Sequence, residues 1–151
     1  MGKFFGLFVI GLIQGAILFI PLAYLLEANY NIAWIYTCVI LITTAFIISS
    51  VTMAGITFIT NGEKFQYIGN FAILVSAIIG GGFIPHIYLP ELVKSISPLT
   101  LHYWVMGSVI SFSGKQNYEG LQSLATVILF AIFILMLSYL RYTKAKEWQL
   151  G

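Results

Sequence analysis

Charged residues are rare along this chain, and they fall in a few places that leave long apolar stretches between them. The intervals are 23 residues between Lys3 and Glu27, 35 between Glu27 and Glu63, and 26 between Lys64 and Glu91. An α-helix needs only about 20 apolar residues to cross the hydrocarbon core of a membrane. The pattern therefore predicts membrane-spanning helices.

These stretches define four predicted spans, at residues 4–26, 32–60, 67–84 and 121–142. As helices they would be about 34, 43, 27 and 33 Å long, against a hydrocarbon core of about 30 Å. The second span is long enough to tilt in the bilayer or to extend into its interface. We therefore expect an all-α integral membrane protein, with a single membrane domain over residues 1–151.

Composition supports lipid as the solvent of this chain. Hydrophobic residues make up 60% of the sequence and charged residues 8%, and aspartate is absent. A soluble domain of 151 residues with this composition would have too little polar surface to stay in solution. Cys38 is the single cysteine, so the chain cannot form an internal disulfide. Nothing in the sequence indicates nucleic-acid binding.

A fifth uncharged stretch, residues 95–114, is as long as a span but much more polar. It contains five serines together with Thr100, His102 and Pro98, which make a lipid-facing span costly. If this stretch stays outside, only Lys94 and Lys115 lie outside, and the other basic residues lie inside, in accord with the positive-inside rule. The inner residues would be Lys3, Lys64, Arg141, Lys144 and Lys146. We therefore expect a multi-pass protein of the cell membrane, with both termini cytoplasmic and an outer helical segment at residues 85–120.

Glycines and prolines divide the outer segment. Gly80, Gly81 and Gly82 are expected to end the third helix, and Pro85 to stop it. Two short helices would follow as a re-entrant or interfacial hairpin before the last span. Such a hairpin is either a plug or gate at the mouth of a membrane bundle or a cap on its surface.

The starts and faces of these two helices can also be predicted. Pro90 would be the first residue of the first helix, with Glu91 at its positive end, and Leu89, Leu92, Val93 and Ile96 would form its apolar face. Ser97 would be the N-cap of the second helix and Pro98 its first residue. The apolar stripe of the second helix would be Leu101, Val105, Val109 and Phe112.

The run over residues 80–104 resembles the signature of type 2 ABC exporter permeases. It reads GGGFIPHIYLPELVKSISPLTLHYW. Its parts, in order before the last span, are a glycine-rich helix end, a Phe-x-Pro, a Leu-Pro-Glu and a segment with Ser-Pro-Leu. The preceding spans also resemble that family, from its third span onward, in order and orientation.

The resemblance implies a membrane subunit of an ATP-driven ABC exporter. Two permease subunits would pair around a path for an amphipathic cargo such as a lipid, a peptide or a hydrophobic drug. The expected outer gate or re-entrant motif consists of Gly80, Gly81, Gly82, Pro85, Pro90, Glu91 and Pro98.

Energy for transport would come from a partner. The sequence has no Gly-x-x-x-x-Gly-Lys-Ser/Thr motif, so ATP and Mg would be bound by a separate ABC ATPase subunit, and the chain itself needs no cofactor. Family permeases typically have six spans, with a coupling helix between the second and third. A second permease subunit, identical or different, is the other expected partner. Either a second polypeptide supplies the spans and the coupling helix that this chain lacks, or the chain is a truncated or specialised subunit.

Other functions stay open. The alternative to transport is an accessory, immunity or sensor subunit that keeps a permease-like bundle. His86, His102 and Glu91 could bind a metal or sense pH, but the histidines are 16 residues apart, without a standard ligand spacing. No Gly-x-Ser-x-Gly motif occurs, so we expect no enzyme.

Small residues in the first span suggest a helix contact. Gly11 and Gly15 have the G-x-x-x-G spacing that lets another helix approach closely, and Gln14 lies between them. The amide of Gln14 would lie at a subunit interface or on the transport path. Packing within one bundle is the alternative.

Overall fold

The part of the chain that the structure describes is all-helical. The structure is a computed structural model that describes residues 2–30, 33–59 and 61–150, and their side chains except at residues 3, 22–23, 26–30 and 144–150. The α-helices are Gly2–Tyr30 (α1), Trp34–Phe58 (α2), Gly62–Ile79 (α3), Glu91–Ile96 (α4), Leu101–Ser113 (α5) and Asn117–Leu150 (α6). Two 3₁₀ turns, His86–Tyr88 and Ser97–Leu99, flank α4. The described residues contain no β-strand.

Three helices are long and apolar enough to cross a membrane. They cover Phe4–Pro21 in α1, Trp34–Phe58 in α2 and Asn117–Thr143 in α6. The chain therefore has the helices of a multi-pass membrane protein, as its charge pattern predicts. α3 differs from these three because it has only 18 residues, and Glu63, Lys64 and Gln66 occupy its first two turns.

The ends of α3 differ from the predicted span at residues 67–84. The helix begins at Gly62, because the Asn61 side chain accepts the backbone N–H of Lys64 at 3.0 Å and acts as the N-cap. It ends at Ile79, because the glycines that follow leave the helical conformation. The shift brings two charged residues into the first turn of α3.

The other long helices also differ from the predicted spans at their ends. α1 extends beyond residues 4–26 in both directions, and α6 begins four residues before residue 121 and continues past residue 142. Ile32 and Thr60, the predicted ends of the second span, lie outside the described residues. α6 has 34 residues and is about 51 Å long, more than a bilayer core requires.

α1 and α2 pack antiparallel through small residues. Gly11 of α1 faces Ala45 and Ser49 of α2. Gly15, one turn later in α1, faces Leu41, one turn earlier in α2. The two helices therefore run in opposite directions.

α2 and α6 run parallel. Ile40 and Leu124 share one core cluster near the beginnings of the two helices, and Ile47, Val127 and Ala131 share a second cluster further along. Further still, Thr57 Oγ1 lies 3.0 Å from Ser138 Oγ. We call the end of the bundle at Trp34 the upper end and the end at Phe58 the lower end. Because both helices run from the upper to the lower end, the chain between them has to return upward.

α3 and α5 make this return. α3 starts at the lower end, where the Phe65 ring packs directly against Gly55 of α2. α5 has 13 residues and is about 20 Å long. Its first residue, Leu101, packs against the Ile47 cluster at the middle of α2, and Phe112 near its end packs against Gly120 at the start of α6. α5 therefore begins half-way along α2 and runs to the upper end.

The apolar stripe predicted for the second short helix is confirmed. Phe112 is 2% exposed, and Leu101, Val105 and Val109 pack against the two clusters between α2 and α6. The ring of Phe112 stacks on Tyr36 with 4.4 Å between centroids. α5 is therefore held by the contact between α2 and α6.

Replacing Phe112 by alanine is expected to destabilise the fold by about 3–5 kcal/mol, since it opens a cavity between α2, α5 and α6. Phe133→Ala is the control, because Phe133 lies on α6 but is 54% exposed. Its loss should change stability by less than about 1 kcal/mol. Unfolding of the detergent-solubilised protein measures both values. Equal losses in the two variants would contradict the position of Phe112 in the core.

Candidate functional site

α3 ends in a hydrogen-bonded glycine turn. The Gly82 N–H donates to the Ala77 carbonyl at 2.7 Å, and the Gly81 N–H donates to the Ile78 carbonyl at 3.5 Å. This is the Schellman arrangement, which satisfies the last carbonyls of a helix. Gly81 has a φ of +84°, a left-handed conformation that favours glycine. The glycine run therefore ends the helix and leaves few of its carbonyl groups unpaired.

Gly80 lies where the end of α3 meets the start of α5. A Cβ at this position would lie 2.6 Å from the Cβ of His102 and 2.6 Å from Oγ1 of Thr100. One turn earlier, Ser76 Oγ lies 2.9 Å from His102 Nδ1, within hydrogen-bond distance. The two helix ends are therefore in close contact, and only glycine leaves room for it.

Ser97 ties α4 to the same point. Its hydroxyl lies 2.7 Å from the Ile79 carbonyl oxygen and 2.8 Å from that of Val93, so these two acceptors share its single hydrogen. The Ser97 side chain is fully buried. One buried hydroxyl thus joins the last turn of α3 to the short helix that follows it.

The prediction that Ser97 caps the second helix is wrong. Residues Ser97–Leu99 form a 3₁₀ turn, and Thr100 is the N-cap of α5, where its Oγ1 accepts the Tyr103 N–H at 3.4 Å. The physical reason is the position of the Ser97 hydroxyl, which lies against carbonyl oxygens of α3 and α4. Its side chain is therefore directed away from the start of α5.

The prolines lie at the turns of this segment. Pro85 precedes the first 3₁₀ turn, and Pro98 lies in the second. Pro90 is the N-cap residue of α4, and Glu91 is the first helical residue, one position later than predicted. The Pro98 carbonyl accepts the indole N–H of Trp104 at 2.8 Å, which fixes the Trp104 ring on the first turn of α5.

α4 carries an exposed ion pair. Lys94 Nζ lies 3.2 Å from Glu91 Oε1, and the side chain of Glu91 is 92% exposed. Such a pair adds little to stability when solvated. Its position matters more, since α4 is fixed to the end of α3 beside the start of α5.

The surface of residues 83–99 is otherwise largely apolar. Leu89 is buried, but Leu92 of the predicted apolar face is 76% exposed. Other exposed apolar residues in this segment are Phe83, Ile84, Ile87, Tyr88 and Leu99. The segment therefore presents apolar surface to lipid or to another chain.

The two histidines have separate neighbours. The His86 ring lies 5.2 Å from the Tyr103 ring, edge to face, whereas His102 contacts Ser76. Glu91 pairs with Lys94. Among the described residues no group of three metal-ligating side chains occurs.

The small-residue motif of α1 faces α2. Gly11 and Gly15 lie in the contact between the two helices, where a Cβ at each position would come within 3.7 Å of Ala45 and 3.6 Å of Leu41. Gln14 lies beside this contact and is exposed. Its amide therefore lies on the outer surface of the bundle.

The structure also contains a groove that is not predicted from the sequence. It lies between α5 and α6, has a volume of about 420 Å³, and is lined by Tyr103 and Trp104 together with the polar residues Ser111, Glu119, Gln122 and Ser123. Gln122 and Ser123 follow Glu119 by three and four positions, the spacing that places polar residues on one face of a helix, and this spacing was the signal in the sequence. They lie at the edge of the predicted span at residues 121–142, where charges are ordinarily taken as the end of a helix.

Comparisons with models of protein families, with curated proteins and with solved structures give no match to this chain. What the protein does must therefore follow from the hairpin, the parallel helices and the distribution of charge.

Substituting Gly80 by alanine is expected to destabilise the protein by about 1–3 kcal/mol, because the new methyl group would overlap His102 and Thr100. Gly69→Ala is the matched control on α3, where a Cβ meets nothing within 4 Å. It should be neutral or stabilising by up to about 1 kcal/mol, as alanine favours helix. Thermal unfolding in detergent gives both values. A Gly80→Ala variant as stable as Gly69→Ala would show that the two helix ends are not in contact.

Proposed function

We propose that this chain is a membrane subunit of an ATP-driven exporter of the type 2 ABC class. In this proposal it helps to form the translocation path for an amphipathic cargo. Two permease subunits would pair around the path, and a separate ABC ATPase would bind ATP and Mg. The hairpin of α4 and α5 would lie near the outer exit.

The observation that carries the proposal is the half-length return of α5. This helix begins beside the glycine end of α3, half-way along α2, and runs to the upper end next to α6. α5 therefore occupies only the upper half of a bundle of full-length helices, and another element occupies the lower half. A half-length helix of this kind is expected of a plug or gate at the mouth of a translocation path.

The charges on the hairpin favour a path over a surface cap. Glu91 and Lys94 are held close to the start of α5 by the bond between Ser97 and Ile79. An exposed ion pair that faces lipid at this depth would be costly. We therefore infer that this side of the hairpin faces water, and that the apolar side faces lipid or the second subunit.

Four crossings with both termini in the cytoplasm fit the parallel packing of α2 and α6. α3 from the lower end and α5 to the upper end together make the upward crossing, because the end of α3 lies beside the start of α5. Lys64 and Arg141 then lie together at the lower end, where the Arg141 guanidinium is 4.6 Å from the Phe58 ring centroid. Lys115 lies at the upper end, in the turn before α6. The positive-inside rule makes the lower end cytoplasmic.

This orientation is tested by labelling single cysteines. Cys38 is exposed and is first replaced by serine, and Lys115→Cys and Lys64→Cys are then introduced separately. A membrane-impermeant maleimide applied to intact cells should label position 115 and leave position 64 unlabelled until the membrane is permeabilised. The reverse pattern would overturn the orientation and, with it, an outer exit at the hairpin.

The motor contact would form at the lower end. α2 and α3 are joined there by residues 59–61, and Lys64 is exposed in the first turn of α3. The coupling helix of family permeases lies between their second and third spans, a region that this chain does not resemble. That contact with the ATPase would therefore come from a partner permease subunit.

The test is co-purification of the tagged chain from its native membranes in mild detergent. We expect it to bring down an ATPase with a Walker motif and a second membrane subunit, and to show ATP hydrolysis that depends on Mg. Lys64→Glu should weaken the recovery of the ATPase several-fold, because it reverses a charge at the proposed contact. Lys115→Glu at the upper end is the matched control and should recover it in full.

The competing function is a non-transporting accessory, immunity or sensor subunit. The lack of a segment that resembles the coupling helix favours it, since a permease without that helix has no route of its own to the motor. A chain that is isolated alone, and whose presence leaves ATPase activity unchanged, would support this second function and exclude the first.

A further inference from the structure

The groove between α5 and α6 lies at the upper end of the bundle and has a definite physical cause. Gly107 of α5 faces Ser123 of α6, and a Cβ at Gly107 would come within 3.8 Å of Ser123 Oγ. The hydroxyl of Ser123 donates to the Glu119 carbonyl on its own helix at 3.0 Å and does not cross to α5. The helices therefore approach closely without filling the space on either side of this contact.

The groove changes in character along its length. Because α5 and α6 are antiparallel, Ser111 lies at the level of Glu119 near the upper end. Tyr103 and Trp104 lie about two turns further down, roughly 12 Å away by the helical rise. The upper part is thus polar and acidic, and the lower part is aromatic. This gradient follows the order of an amphiphile whose headgroup lies near the membrane surface.

The charge of the headgroup follows from Glu119. The ion pair found among the described side chains joins Lys94 to Glu91. No described cationic side chain lies within 4 Å of the Glu119 carboxylate. The indole N–H of Trp104 is already bonded to Pro98, so this residue offers its ring and not a donor. Aromatic rings and a carboxylate both attract cations.

The size of the groove limits the ligand. A volume of about 420 Å³ is in the range of small-molecule sites, and it holds a small headgroup with several methylene groups. A phospholipid would also place a phosphate near Glu119, where like charges repel. A singly charged organic cation with an alkyl chain fits better.

We propose that this groove binds the ammonium group of a cationic amphiphile that has one alkyl chain. Glu119 would be the counter-ion of the ammonium group, and Tyr103 and Trp104 would contact the alkyl chain. The site needs only α5 and α6, so it stands whether or not the protein is an exporter subunit.

Trp104 provides the measurement. In a variant with Trp34→Phe and Trp148→Phe it is the sole tryptophan, and a bromine atom on a bound chain quenches its fluorescence. The probe is an alkyltrimethylammonium brominated on its chain, added to the protein in dodecyl maltoside. A brominated dodecyl maltoside is the neutral control. We expect saturable quenching by the cation at mole fractions where the neutral probe gives only weak, linear quenching.

Substitution of Glu119 then tests the counter-ion. Glu119→Gln keeps the shape of the side chain and should weaken binding of the cation about three- to fivefold, as for an ion pair at an exposed carboxylate. Glu119→Lys should abolish it and allow quenching by a brominated alkyl sulfate. Glu63→Gln, at the lower end of the bundle, is the matched control and should leave the affinity unchanged.

Three results would overturn the proposal. They are equal quenching by the cationic and neutral probes, cation binding that is unaffected by both substitutions at Glu119, and a preference for a chain-brominated phosphatidylcholine over the single-chain cation. Trp104 emission in the absence of probe reports whether each variant keeps its fold. A variant that loses the native emission is replaced by Gly107→Leu, whose side chain would fill the groove and should also remove binding.

Discussion

The parallel contact between α2 and α6 determines the rest of the structure. It joins helices far apart in the sequence through Ile47, Val127 and Ala131, which are almost fully buried, and through the hydroxyl pair of Thr57 and Ser138. In lipid, apolar helices gain little from burial alone, so close packing and hydrogen bonds hold them together. Because α2 and α6 run in the same direction, the chain that connects them, residues 59–116, has to lead back from the lower end of the bundle to the upper end. α5 can begin half-way along the bundle only because α3 covers the other half of the return.

The interruption between α3 and α5 has to satisfy its backbone groups at a depth where lipid offers no hydrogen bonds. The glycine turn does this for the end of α3, Ser97 for the carbonyls of Ile79 and Val93, and Thr100 for the start of α5. These bonds are all local or join neighbouring helix ends. The break between α3 and α5 is therefore a hydrogen-bonded structural element and not a frayed helix. The exposed pair of Glu91 and Lys94 beside it supports the proposal that water lies on one side of the break.

The sequence predicted the features that depend on local chemistry and failed at those that depend on tertiary contacts. Long uncharged stretches form few structures other than membrane-spanning helices. Three consecutive glycines, Gly80–Gly82, favour the end of a helix, and α3 ends there. The stripe from Leu101 to Phe112 was correct because its helical spacing defines a face. The choice between Ser97 and Thr100 as N-cap was not predictable, because it depends on the Ile79 carbonyl, 18 residues away. The groove at Glu119 likewise depends on the register of α5 against α6.

α3 is the element that the fold leaves most incomplete. Ala77 is its one buried residue, and Gln66 and Asn70, one turn apart, are both exposed. Apolar residues such as Phe71 could face lipid at no cost, but an asparagine amide in hydrocarbon loses its hydrogen bonds with water. That face of α3 therefore needs either a polar partner or an aqueous cavity. The second subunit proposed above would meet this requirement if it packs against α3.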